Sequence, residues 1–136
     1  MGQQKRVFPA ELELKILKIL WREGPLRVRE VRRHLADEGR ELAHTTVVTT
    51  LNKMVAKGFA ESTQELNAYI FEACVSEEDV SQGMLSDFVD RVFDGSAVSL
   101  LLNLVESEDI EDEEFVRLRK LINKQAKKQT KGKGKK

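Results

Sequence analysis

The chain has 136 residues, 40% hydrophobic and 34% charged, and its 23 basic and 23 acidic side chains cancel to a net charge of zero. That length allows one domain, or one domain with a helical appendage. No apolar run reaches the roughly 18 residues of a membrane helix, so membrane insertion is excluded.

The N-terminal stretch MGQQKRVFPAELEL has no apolar core of a secretory signal, and Arg6 breaks the myristoylation pattern that Gly2 begins. A lone cysteine, Cys74, makes no internal disulfide and reads as a buried or half-buried small side chain. The expected compartment is the cytoplasm. The zero net charge hides a segregation. Residues 1–75 carry 12 Lys/Arg and 10 Asp/Glu, residues 76–116 carry 13 acids and one base, Arg91, and residues 117–136 carry ten bases and no acid. A strongly acidic middle cannot lie on a polyanion, whereas the basic faces of the first part and a basic tail can.

Taken in order, residues 1–8 are polar and read as frayed. Pro9 suits a first helical turn. Leu12, Ile16, Ile19 and Leu20 then recur at spacings of three and four, and Gly24-Pro25 ends that helix. Leu26-Arg27 is too short to assign by itself. Val28, Val31 and Leu35 mark a second helix over about Val28 to Asp37, with Arg29, Arg32 and Arg33 outward and Gly39 as its breaker.

The third helix, HTTVVTTLNKMVAK, is closed by Gly58. At about 100° per residue, Val47, Leu51, Met54 and Val55 share one side, with Val48 at its border. Thr46, Thr49, Thr50, Lys53 and Lys57 share the other, which has no carboxylate. Threonine is a modest helix former, so four within six residues need a reason. A short hydroxyl side chain lets a helix backbone enter a groove, and its oxygen and methyl meet base edges and thymine methyls. The plain alternative is an amphipathic helix with exposed threonines.

After Gly58 the period changes from helical to alternating. Phe59–Ser62 reads as one strand, Ala68–Ala73 as another, and Gln64–Asn67 as the tip between them. Three helices followed by a two-stranded hairpin is the order of a winged helix-turn-helix, in which the third helix enters the major groove.

The segments ELELKILKILWREGPLRVREV, HTTVVTTLNKMVAKGFAE, NAYIFEACVSEED and FDGSAVSLLLNLVESEDI together resemble the penicillinase-repressor family (BlaI/MecI, with the related copper repressor CopY), from about Pro9 to Ile122. The resemblance implies a DNA-binding repressor that acts as a homodimer on a palindromic operator, with the C-terminal helices as the dimer interface. Carried over by motif, it implies Thr45, Thr46, Val48 and Thr49 as base readers and Lys53 as a phosphate contact, with Arg32 or Arg33 meeting phosphates from the second helix. Several family members have a basic residue at the position of Val48 and at that of Asn67 in the wing. Asn67 and Tyr69 are the wing contacts expected here.

The C-terminal pattern agrees independently. Ser76 can cap a helix carrying Val80, Met84, Phe88 and Val92. Gly95 ends it, Ser96 caps the next, and Val98, Leu101, Leu102 and Val105 form a second stripe. Carboxylates at Glu111–Glu114 suit a helix start, and Phe115, Leu118, Leu121 and Ile122 form a third stripe. Three short helices cannot bury all this apolar surface alone. A second copy of the chain is the simplest cover, with packing against the first domain as the alternative. The fold expected is therefore mainly α with a small β-hairpin: a winged helix-turn-helix over residues 1–75, a three-helix dimerisation region over 76–123, and a disordered basic tail over 124–136.

No HExxH, CxxC, GxSxG or P-loop pattern occurs, so an enzyme is not expected. No cofactor or metal is expected either. The copper-repressor branch uses a C-terminal cysteine cluster that this chain lacks, and His34 and His44 read as structural or DNA-adjacent. In the antibiotic-sensing branch, a membrane-bound sensor protease relieves repression by cutting an Asn-Phe bond in the C-terminal helices. The matching pair here is Asn103-Leu104, which keeps the asparagine and loses the aromatic. The alternative function is a winged-helix docking module whose acidic 76–116 segment meets a protein partner.

Overall fold

A computed structural model describes residues 8–107 and 110–133, with side chains placed as far as residue 129. The chain divides into two compact units, Met1–Asp87 and Phe88–Lys136.

The first unit opens with α1 (Glu11–Glu23), β1 (Leu26–Arg27), α2 (Val28–Asp37) and α3 (His44–Lys57), followed by β2 (Ala60–Glu65) and β3 (Ala68–Ala73). The apolar stripes read from the sequence converge on one core. Ile16, Leu17, Ile19, Val31, Leu35, Val47, Leu51 and Met54 are all fully buried, capped from the sheet side by Phe59 and Phe71. At roughly 1.5–3 kcal/mol per large side chain, this burial is what holds the three helices together. The indole N–H of Trp21 donates to the Val75 carbonyl at 2.8 Å and pins the end of α1 to the chain leaving β3.

The sheet has three strands in the order β1-β3-β2, all antiparallel. β1 is the Leu26-Arg27 pair, with Leu26 opposite Phe71. Two residues carry no period of their own, so only their partner β3 makes them a strand. The hairpin is also longer than the sequence implied. β2 runs to Glu65 opposite Ala68, and the turn is just Leu66-Asn67, both at positive φ (46° and 64°), the conformation of a two-residue type I′ turn.

Helix ends follow local chemistry. Gly58 adopts the left-handed conformation (φ 86°, ψ 11°), and its N–H returns to the last turn of α3. Ser76 Oγ accepts the Asp79 N–H at 3.0 Å at the start of α4 (Glu77–Val92). The unit boundary falls inside α4, after Asp87, rather than at residue 75. The early part of α4 belongs to the first unit because Val80 is buried and Gly83 faces the Phe8 ring, where an added Cβ would sit 3.4 Å from it.

The second unit contains the end of α4, α5 (Ala97–Glu106) and α6 (Asp112–Lys133). Ser96 Oγ caps α5 by accepting the Ser99 N–H at 3.1 Å. The rings of Phe88 and Phe93 meet edge to face at 5.8 Å. Among the described residues of this unit only Val89 is buried. The disordered tail expected from residue 124 is corrected as far as Lys133: those residues continue α6 without a break. Lys, Gln and Ala are good helix formers, and extending a helix already nucleated upstream costs little. Lysines at that end also favour the helix dipole.

Candidate nucleic-acid interface

Four of the residues implied as DNA contacts stand together on α3. Thr45, Thr46, Thr49 and Lys53 are exposed, on the side away from Val47, Leu51 and Met54. Thr50, on the same side, donates its hydroxyl to the Thr46 carbonyl at 2.8 Å, so its proton is spent within the helix. Lys57 leaves the row altogether. Its ammonium lies 3.0 Å from each carboxylate oxygen of Glu13 on α1. Glu13 is the single buried charge of the described residues, at 3% exposure, and its carboxylate also accepts the Ala10 N–H at 2.8 Å. The wheel angle of Lys57 matched the row, but its long stem reaches back to a carboxylate that has no other cation. The outward row therefore reduces to Thr45, Thr46, Thr49 and Lys53, with no acid on it.

Beside that row runs a groove of about 770 Å³. One wall is a second row of α3 at i, i+4 and i+8: His44, Val48 and Asn52. The other is the hairpin, through Ser62, Asn67 and Tyr69, and Arg27 and Arg29 stand at the start of α2. None of its lining residues is acidic. The structure thus brings Val48 together with Asn67 and Tyr69 as implied, with Val48 half-buried. His44, Asn52, Ser62, Arg27 and Arg29 join them without having been singled out for it. The i, i+4, i+8 spacing was the available signal for His44 and Asn52; nothing local points to Ser62.

The hairpin polarises by face. Ser62 opposite Phe71 and Gln64 opposite Tyr69 share one side, while Glu61 opposite Glu72 occupies the other. Residues 59–75 contain three acids and no base. The wing therefore offers a phosphate only hydrogen bonds, from its inner face. Cys74, expected to be at least half-buried, is exposed. Partial desolvation of the sulfur, and then the charges of Glu61 and Glu72, push its thiol up.

On α2, Arg32 and Arg33 are both exposed. Arg32 Nε donates to the Leu42 carbonyl at 2.8 Å, which braces the segment leading into α3. Arg29, Arg33 and Lys53 have no carboxylate within ion-pair distance among the described residues. Besides Lys57, the ion pairs of Arg22 with Glu23 and Glu38, and of Arg40 with Glu11, lie outside these surfaces. The side-chain hydrogen bond from Arg22 holds the Glu23 carboxyl below its ordinary range.

Of the side chains implied at the dimer interface, Val80 is buried in its own chain at 9% exposure and has little surface left to offer a second copy. Met84, Phe115 and Leu118 are half-buried. Phe88, Val92, Val98, Leu101, Leu102, Val105, Leu121 and Ile122 are exposed. Asn103 and Leu104 sit inside α5, where the Asn103 side-chain amide donates to the Ser99 carbonyl at 2.9 Å. Among the described residues, no group of three or more His, Cys, Asp and Glu is placed to hold a metal, and no helix is long and apolar enough to cross a membrane.

Three helices closed by a three-stranded sheet, with an acid-free groove between the third helix and the hairpin, define a winged helix-turn-helix protein. The chain belongs to the penicillinase repressor family, whose model matches residues 9–124. It is 25% identical over 112 residues to the methicillin resistance regulatory protein MecI of Mammaliicoccus sciuri, covering 82% of this chain and 90% of that protein. It is 23% identical over 113 residues to the penicillinase repressor of Bacillus licheniformis, covering 83% and 88%. Among solved structures it is similar to the DNA-binding domain of the repressor BlaI, at 21% identity and a TM-score of 0.47 over 55% of this chain and 93% of that one. The members of this family are transcriptional repressors, not enzymes.

Proposed function

We propose that this chain is a cytoplasmic, DNA-binding transcriptional repressor that acts as a homodimer on a palindromic operator. The observation that carries the reading is the outward row of α3, in which Thr45, Thr46, Thr49 and Lys53 are exposed, acid-free and flanked by a groove without carboxylates. In a major groove such a row reads base edges with hydroxyls and methyls, while Lys53, Arg29, Arg33 and the polar groove residues hold the backbone on either side. With few cations per half-site, useful occupancy comes from linking two half-sites in one dimer. The dimer contact is the apolar face of α5 and α6. α5 has no buried residue, and together with α6 it forms a mainly apolar hollow of about 430 Å³ lined by Val105, Phe115, Val116, Leu118 and Ile122, with Arg119 its one charged residue.

The test is a gel shift with the DNA upstream of the chain's own gene. Thr49→Ala is expected to weaken operator binding about fivefold, the value of roughly one hydrogen bond, and to leave random DNA unchanged. Equal loss on both would remove Thr49 as a reader, and an absence of any sequence preference in the parent protein would remove the reading itself.

Relief of repression by a sensor protease forms the finer part of this proposal. A cut between Asn103 and Leu104 would separate Leu101 and Leu102 from Val105 and α6 and so divide the dimer face. Mass analysis after incubation with the cognate protease checks it; an uncut chain refutes it.

A further inference from the structure

We infer that the outer face of α6 is a second DNA-backbone contact, independent of sequence. The inference rests on the DNA-binding reading above. α6 continues through Lys133, so the basic run is a helix with faces. Arg117, Lys120, Lys124, Lys127 and Lys128 fall within an arc of about 100°. Phe115, Leu118, Ile122 and Ala126 fall on the opposite side, centred about 170° away by the same count, with Val116 and Leu121 at the borders and one cation, Arg119, beside the apolar row. All five cations are exposed. No acidic residue follows Glu114, so none of the four lysines has a carboxylate within a helical turn of it.

Three polyanions compete for such a stripe, and geometry separates them. An anionic membrane needs the apolar side of the helix buried in it, and in the dimer read above the second copy already covers that side. The acidic 76–114 segment of a second copy has the right charge. However, a copy seated on the apolar side leaves the basic stripe facing away from that contact. What remains is a polyanion outside the dimer, and a duplex bound by the first unit of the same chain is the one that covalent linkage brings to the stripe at high effective concentration. Stripe cations from Arg117 to Lys127 follow one another about 4.5–6 Å apart along the helix, and Lys128 is the next residue after Lys127. A duplex carries about one charge per 1.7 Å of its axis, both strands counted, which exceeds the charge density of the stripe.

The test uses the full chain and the variant Lys120→Gln, Lys124→Gln, Lys127→Gln, Lys128→Gln. Gln matches Lys in helix propensity, so α6 is kept, and helix content by circular dichroism checks this. Binding to a random 40-base-pair duplex and to the operator fragment is measured against salt. Each phosphate contact adds about 0.9 to the slope of log K against log salt. The variant is expected to be shallower by about 3–4 per protomer on both duplexes, with an unchanged ratio between them, and the corresponding Arg variant is expected to keep the parental slope. A slope within half a unit of the parent overturns the inference. A variant that dissociates in sedimentation while its slope stays parental also overturns it, and assigns the stripe to the second copy. If the parent itself does not distinguish operator from random DNA, the repressor reading falls; if only the slope fails to move, the stripe falls alone.

Discussion

Replacing Lys57 by Met tests whether this lysine belongs to the fold or to the DNA. The Glu13 side chain is 4% exposed and that of Lys57 37% exposed, with a 3.0 Å contact between them. Removing the lysine strands a buried carboxylate whose only other partner is the Ala10 N–H at 2.8 Å. The penalty for leaving one buried charge unmatched is about 3 kcal/mol. Removing the acid is different, because the freed ammonium can turn into water. Glu13→Leu therefore costs only about 1 kcal/mol, mostly the lost acceptor at the start of α1. The double variant is expected near that same 1 kcal/mol, since no charge remains to be stranded, so the double-mutant cycle yields a coupling of about 3 kcal/mol. Urea unfolding followed by circular dichroism at pH 7 measures all four species. The same variants report on function: the salt slope of DNA binding by Lys57→Met stays parental, whereas Lys53→Gln lowers it by about 0.9. Equal costs for the two single changes, or a cost below 1 kcal/mol for Lys57→Met, would refute the reasoning.

Three further outcomes follow from the wing, its neighbour and the second unit. Leu66 holds φ 46° at 87% exposure, so it carries a left-handed backbone penalty with no packing to offset it; Leu66→Asn is expected to stabilise the protein by about 1 kcal/mol, seen as a melting temperature raised by a few degrees. Because desolvation and the carboxylates Glu61 and Glu72 hold the Cys74 thiol above its ordinary range, little thiolate exists near neutrality and more forms only as pH rises. Alkylation at pH 8 is accordingly expected to be slower than that of a free thiol and faster after Glu61→Gln; a rate equal to the free thiol would contradict this. Leu101→Asp with Leu121→Asp, both on exposed positions, is expected to leave the first unit folded and give monomers in sedimentation equilibrium; an intact dimer would place the contact elsewhere.

The elements of the first unit were legible because their signals are local. A 3.6-residue period, a glycine at position 58 and a change to alternation at residue 59 each act over a few neighbours, and most of the core residues they implied are buried, with Leu12, Val28 and Val55 half-buried against them. The threonine row was legible for the same reason. The groove beside it was only half so: His44 and Asn52 flank Val48 at helical spacing, but Ser62 reaches that wall only through the register of β2 on β3.

The chain by itself determined where the helices and the hairpin lie, which side of α3 is free of acid, and where charge is segregated. Pattern and propensity act within a few residues, and these features need nothing more distant. Tertiary structure alone decided that Leu26-Arg27 is a strand, that Val80 is buried in its own chain, and that of two lysines on one helical face Lys57 pairs with Glu13 while Lys53 has no carboxylate within ion-pair distance among the described residues. Each of those depends on a group brought close from far along the chain, and neither periodicity nor composition records which distant group arrives.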